Sequence, residues 1–162
     1  MTPAFLDLLA ELKDFQRPRE LQPPATAEDI ANLVQRAGTE LDYTPPTFYL
    51  DLLQVTDGLA RNGIQMYGTR TQRIAGLARE SFIEGLVEAN LIWREFEPNK
   101  NYVFFAESGS DLYQFNLHTQ QFEVADRVGR TVFDQFTSME QLLRVLFNHM
   151  LDRFDVEEKT DA

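Results

Sequence analysis

The side chains most able to do chemistry in this sequence are carboxylates, because the chain has 26 acidic residues, two histidines and no cysteine. Glu80, Glu84 and Glu88 recur every four residues, which on a helix would stack three carboxylates along one edge. Like charges at this spacing repel one another by roughly 0.2–0.5 kcal/mol per pair. Either a partner protein relieves that repulsion with lysine or arginine, or a neighbour such as Arg79 does so within the fold. The spacing thus leaves two interpretations, an acidic docking stripe and a solvated helix edge.

The other reactive side chains form no recognisable catalytic or metal-binding motif. His118 and His149 lie far apart, and neither has a second ligand at the spacing of a zinc-binding helix. Glu107 and Asp111 flank a glycine turn that has too few oxygen ligands for a calcium loop. Serine and aspartate side chains that bond their own backbone explain this turn better. We therefore expect no enzyme activity, no metal and no cofactor, with both histidines on the surface.

Composition and charge limit the class of protein. With 162 residues, 43% of them apolar, the chain suits one compact domain and not a disordered polypeptide. No apolar run reaches the roughly 18 residues that span a bilayer, and an acid stands where a signal peptide needs bases. These features predict a soluble, cytoplasmic protein that does not bind membranes. The net charge of −11 repels phosphate backbones, so it disfavours nucleic acid and favours basic protein partners.

The charge is unevenly distributed along the chain. Residues 61–79 hold four arginines and no acid, whereas residues 80–97 hold five acids and one base. Adjoining strips of opposite charge would give a self-complementary homodimer surface, and the alternative is an ordinary mixed surface. Trp93, the only tryptophan, lies in the acidic strip with Glu95 and Glu97 beside it. It is either a core anchor or an interface anchor.

Hydrophobic periodicity predicts five helices that would position these residues. Apolar residues recur at helical spacing in each of them, and the predicted ranges are 4–15, 26–37, 44–56, 80–90 and 139–154. Thr26 with Asp29 fits a capping box ahead of the second helix, which Gly38 would end. Ser138 or Thr137 would cap the last helix.

Short alternating or solidly apolar runs predict strands between these helices. A first strand covers 64–67, and three more cover 102–106, 112–117 and 122–128 with hairpin-length links. The order of elements predicts one α+β domain, with helices packed on a mostly antiparallel, meandering sheet. We divide the chain into an N-terminal helix with a proline-rich arm (1–25), the α+β domain (26–154) and a polar tail (155–162).

Several segments carry their turn and core residues in a recognisable order. The positions concerned are Pro46, Tyr49, Leu52, Leu53, Asp57 and Gly58, then Gly63, Tyr67 and Gly68, and finally Gly109 and Asp111. A phenylalanine-led helix that begins at Phe136 follows them. Together these segments, which extend over residues 26–150, resemble the SUKH superfamily of Smi/Knr-like proteins.

The resemblance implies an α+β fold that has no general catalytic residues. The superfamily is best known for bacterial immunity proteins that neutralise partner toxins, often nucleases, and for a fungal cell-wall regulator that acts through protein interactions. We therefore expect a non-catalytic protein-binding module whose partner is a basic toxin domain, and the expected binding residues are Glu80, Glu84, Glu88, Trp93, Glu95 and Glu97. The alternative is a structural or regulatory interaction domain, or a homodimer, with no toxin partner.

Overall fold

The computed structural model describes residues 1–15, 22–74 and 81–154, and these ranges contain five α-helices and eight β-strands. The helices are α1 (Pro3–Phe15), α2 (Ala27–Leu41), α3 (Thr47–Leu53), α4 (Leu86–Trp93) and α5 (Met139–Met150). The strands are β1 (Leu59–Arg61), β2 (Ile64–Met66), β3 (Gln72–Arg73), β4 (Phe82–Ile83), β5 (Tyr102–Glu107), β6 (Asp111–Asn116), β7 (Gln121–Asp126) and β8 (Val132–Phe136). A 3₁₀ turn, Glu97–Asn101, follows α4.

Six of the strands form one antiparallel sheet in the order β1-β2-β5-β6-β7-β8. Strands β3 and β4 form a separate two-stranded ribbon. The predicted α+β class and the meander are confirmed. The sequence interpretation missed β8, because four of its five residues are exposed and the strand has no alternating pattern.

Alternate residues of the meander form an aromatic face that the helices cover. Tyr113 and Phe115 of β6 lie opposite Val124 and Phe122 of β7. Helix α3 packs on this side through Tyr49, whose ring lies 5.1 Å from that of Phe105. Helix α1 joins the same core because the rings of Phe5 and Phe147 are 5.2 Å apart. The N-terminal helix is therefore part of the domain core, while residues 16–21 of the predicted arm and the tail 155–162 lie outside the described residues.

Two predicted helix starts are confirmed, whereas the ends of α2, α3 and α5 differ from the predicted ends. Thr26 with Asp29 forms a capping box on α2, and Ser138 caps α5. Helix α2 runs through Gly38 to Leu41, because Asp42 takes the left-handed conformation (φ 51°) that ends it. The third helix is shorter than 44–56, and α5 ends at Met150 and not at residue 154.

The helix predicted over 80–90 is wrong in its first part. Strand β4 occupies residues 82–83, and the helix begins only at Leu86. The Glu84 carbonyl accepts from the Gly68 amide at 3.0 Å, and the Leu86 amide donates back to the Gly68 carbonyl at 2.9 Å. A Cβ at Gly85 would approach the Arg70 Cα to 2.6 Å, so the position requires glycine. These tertiary contacts hold the chain extended where periodicity alone favours a helix.

Candidate functional site

Helix α4 carries apolar side chains on every side. Leu86, Val87 and Ala89 are at most 1% exposed, whereas Leu91 is 40% and Ile92 62% exposed. A helix that is apolar all round is normally buried all round, because water solvates its apolar sides poorly. Helix α4 therefore presents to solvent a side that the described part of the domain leaves uncovered.

The chain that follows α4 enlarges this apolar area and flanks it with acids. Phe96 is 62% exposed, and both Glu95 and Glu97 are exposed. Glu97 pairs with Lys100 at 2.8 Å in an open setting. We call the group Leu91, Ile92, Glu95, Phe96 and Glu97 the α4-end surface. An apolar centre with a charged rim is the common anatomy of a protein interface.

Trp93 turns away from this surface and into the fold. Its ring lies 5.1 Å from that of Phe104, and its Nε1 donates to the Tyr67 hydroxyl at 3.0 Å. The Arg127 guanidinium lies over the indole at 5.3 Å from its centroid. The sequence leaves two roles open for Trp93, and these contacts favour the role of core anchor over that of interface anchor.

A chain of polar contacts fixes the Trp93 ring. Arg127 Nη1 donates to the Glu107 carboxylate and to the Ser108 carbonyl, both at 2.8 Å. Burial raises the pKa of Tyr67 far above its usual value, and the Glu107 charge adds to the shift, so the phenol stays protonated. Burial also raises the pKa of Glu84, which lies near Glu107 and Arg127. These contacts anchor Trp93 at the base of the α4-end surface.

Asn90 joins α4 to the edge of β5. Strand β2 ends at Met66, and beyond that point the Phe104 backbone has no neighbouring strand on this side. Asn90 Oδ1 accepts from the Phe104 amide, and its Nδ2 donates to the Phe104 carbonyl, each at 2.8 Å. The Asn90 side chain thus makes the two backbone hydrogen bonds that a neighbouring strand would otherwise make with Phe104. The sequence interpretation missed it, although a lone asparagine in an apolar helix was a usable signal.

The predicted stripe of three glutamates does not form on a helix edge. Glu84 precedes α4, and Glu80 lies outside the described residues. Glu88 is in the first turn of α4, where it pairs with Arg36 of α2. Arg36 also binds Glu40 at 2.9 Å. The neutralising arginine comes from another helix, so the charge of Glu88 is already balanced within the fold.

The two histidines differ in their surroundings. His118 is exposed in the β6–β7 turn, as predicted. The surface position predicted for His149 is wrong, since this residue is only 9% exposed and its Nδ1 lies 2.7 Å from the Tyr113 hydroxyl. Phe154 stacks on the imidazole at 4.7 Å, and burial lowers the pKa of His149. Within the described ranges, no three histidine, aspartate or glutamate side chains gather as a metal-ligand set.

The residues of the SUKH-like pattern serve the fold. The Tyr49 hydroxyl donates to the Tyr67 carbonyl, which ties α3 to the end of β2. Asp57 is buried and accepts from the Thr69 amide at 2.7 Å and from the Thr69 hydroxyl at 2.8 Å. In the third segment, Ser108 Oγ accepts from the amides of Ser110 and Asp111. The serine turn thus bonds its own backbone, as its residue types predict, whereas Asp57 joins the end of α3 to a segment twelve residues further along the chain.

Comparison with protein-family models and with curated proteins gives no match for this chain. None of the helices in the described part of the chain has the length and apolar character to cross a membrane. The arrangement around α4 offers apolar contact and peripheral charge, which is the chemistry of non-covalent recognition.

Proposed function

We propose that this protein is a non-catalytic protein-binding module of the immunity type, which neutralises a basic toxin domain through the α4-end surface. The observation that carries the proposal is the uncovered apolar side of α4. Leu91, Ile92 and Phe96 lie exposed, with Glu95 and Glu97 beside Phe96 in the chain, although the other side of the same helix is fully buried. A SUKH-type immunity protein would need such a surface and no catalytic residues.

The exposed apolar residues are large enough to anchor a complex. Complete burial of a large apolar side chain contributes roughly 1.5–3 kcal/mol, and Ile92 and Phe96 each still expose 62% of their surface. The anchored Trp93 lies between Ile92 and Glu95 in the chain, which limits the conformational entropy to be lost when a partner binds. A few well-placed apolar anchors commonly dominate the affinity of an interface.

The charge of the chain supports a basic partner. The exposed Glu95 and Glu97 stand on either side of Phe96 in the chain, and the net charge is −11. Rim charges of this kind accelerate association with a surface of opposite sign. An acidic surface also resembles the charge of nucleic acid, which would suit a nuclease toxin as the partner.

The test is to isolate the binding partner from the native cell extract, purify it and measure its affinity for three forms of the protein. Ile92→Ser/Phe96→Ser should weaken binding by about thirtyfold or more, since each lost anchor costs about 1 kcal/mol or more. Leu6→Ser is the matched control, because Leu6 is 49% exposed on α1, outside the α4-end surface. Equal affinities for the wild type and the double variant would contradict the proposal.

The second candidate function is a structural or regulatory domain that forms a homodimer. The observation in its favour is β8, the edge strand of the sheet, where Val132 is 37% and Phe133 58% exposed. Edge strands of this kind can pair with another chain. Light scattering over a concentration series separates the candidates: a dimer that Phe133→Lys dissociates favours self-association, whereas a monomer throughout favours the first proposal.

A further inference from the structure

Two hairpin turns enclose a cavity at one end of the sheet. Gln65 of β2 lies opposite Glu107 of β5, which brings the β1–β2 turn beside the β5–β6 turn. Between them is a cavity of about 320 Å³, and its lining residues include Asn62, Gly63, Ser108, Asp111, Tyr113 and Phe154. None of these residues belongs to the α4-end surface.

The walls of this cavity combine one carboxylate with aromatic rings and hydroxyls. Asp111 is the only charged side chain among the described residues that line it. Phe154 supplies exposed ring surface, Tyr113 lines the cavity from a buried position, and His149 contacts both rings. Ser108 and Ser110 add hydroxyl groups 3.4 Å apart. This composition accepts a cation with an attached apolar portion, because a carboxylate pairs with the charge and aromatic rings contact both parts.

The positive groups near the cavity are engaged elsewhere. Arg127 Nη1 donates to the Glu107 carboxylate and to the Ser108 carbonyl, and Arg127 is not among the residues that line the cavity. Arg61 lines a neighbouring cavity and donates Nε to the Met150 carbonyl at 3.3 Å. Burial lowers the pKa of His149, which favours its neutral form, and burial raises the pKa of Asp111. A carboxylate in this setting gains from a cationic ligand.

We infer that this cavity binds a primary ammonium or guanidinium group carried on a short apolar chain, with Asp111 as its counter-ion. The same chemistry is found in a lysine or arginine side chain of a polypeptide and in a free small amine. The inference goes beyond the proposed function, since it does not depend on the α4-end surface.

The experiment is an NMR titration of the full chain, labelled with ¹⁵N, with n-butylammonium. Saturable shifts should centre on the amides of Gly63, Gly109 and Asp111, and n-butanol and butyrate should not reproduce them. Asp111→Asn should weaken binding by about tenfold or more, because it removes the charge-assisted contact. Asp51→Asn, at an exposed position on α3, should bind as the wild type does. Equal shifts from n-butanol, or unchanged binding by Asp111→Asn, would overturn the inference.

A second variant tests the cavity without touching the charge. A Cβ at Gly109 would meet no atom within 4 Å, so Gly109→Leu should fold normally and obstruct the cavity. It should abolish the butylammonium shifts, and full retention of binding would contradict the inference. A capped tripeptide, acetyl-Gly-Lys-Gly-amide, distinguishes the two sources: tighter binding than butylammonium indicates a polypeptide side chain, and weaker binding a free amine. Ile92→Ser/Phe96→Ser should leave every titration unchanged, so this inference and the proposed function fail separately.

Discussion

Helices α4 and α5 solve the same packing problem in different ways. Helix α5 is amphipathic: Leu142, Leu143 and Leu146 are completely buried, while Gln141 and Arg144 lie on its more exposed side. Helix α4 buries one side as thoroughly, but its other side is also apolar, with Leu91 and Ile92 exposed. Helix α5 therefore buries its apolar side chains on one side, whereas α4 buries one apolar side and exposes another.

The largest expected effect on stability distinguishes a buried residue of α5 from an exposed residue of α4. Leu146→Ala on α5 should lower the free energy of unfolding by about 2–5 kcal/mol, because a buried leucine leaves a cavity behind. Ile92→Ala on α4 should change it by no more than about 0.5 kcal/mol, because the residue is 62% exposed. Urea unfolding of both variants measures the difference. Comparable losses of unfolding free energy would mean that Ile92 packs within the fold. Ile92 would then not be part of an exposed α4-end surface.

The next largest effect concerns the attachment of α4 to the sheet. Asn90→Ala should cost about 1–3 kcal/mol, because it leaves the Phe104 amide and carbonyl buried without their partner. Asn32→Ala is the matched control: Asn32 is exposed on α2, where alanine is the better helix former. Thermal unfolding should therefore give a lower melting temperature for Asn90→Ala than for Asn32→Ala. Equal melting temperatures would show that Asn90 does not hold α4 in place.

Helices α4 and α5 also show which structural features could be predicted from the sequence and which could not. The caps at Thr26 and Ser138 and the stripe of α5 follow from local patterns, and the structure confirms them. The start of α4 was mispredicted because a backbone bond between Glu84 and Gly68 overrides the local periodicity. The pairing of Glu88 with Arg36 joins residues 52 apart in the chain. A pattern within one segment cannot identify a charge that arrives from another helix.

A smaller effect depends on pH and belongs to α5. Burial lowers the pKa of His149, so the unfolded chain binds this proton more readily than the folded chain. The stability due to neutral His149 is complete above the unfolded pKa of about 6.5 and is lost as the pH falls below it. In His149→Gln, the free energy of unfolding should lose the part of its decrease at low pH that is due to His149. His118→Gln, in an exposed turn, should show the same decrease as the wild type. The test is to measure the free energy of unfolding of all three proteins above and below a pH of about 6.5. An equal decrease in all three would refute this role of His149.

The smallest expected effect on stability lies at the rim of the α4-end surface. Glu95→Gln/Glu97→Gln should leave the free energy of unfolding within about 0.5 kcal/mol per substitution, since both side chains are exposed. The same variant should bind the purified partner with a slower association rate and a weaker dependence on salt. Stopped-flow association at two ionic strengths measures both quantities. A variant with the wild-type rate and salt dependence would remove these acids from the interface.

Methyl cross-saturation in the complex tests the second surface of α4 most directly. The protein is labelled at its isoleucine and valine methyl groups, and the unlabelled partner is irradiated, so that only methyls at the interface lose intensity. We predict a strong loss at Ile92 and none at Ile83, which is fully buried. An Ile92 signal that keeps its full intensity, together with a loss at Val132 on the sheet edge, would contradict the account and place the partner on β8.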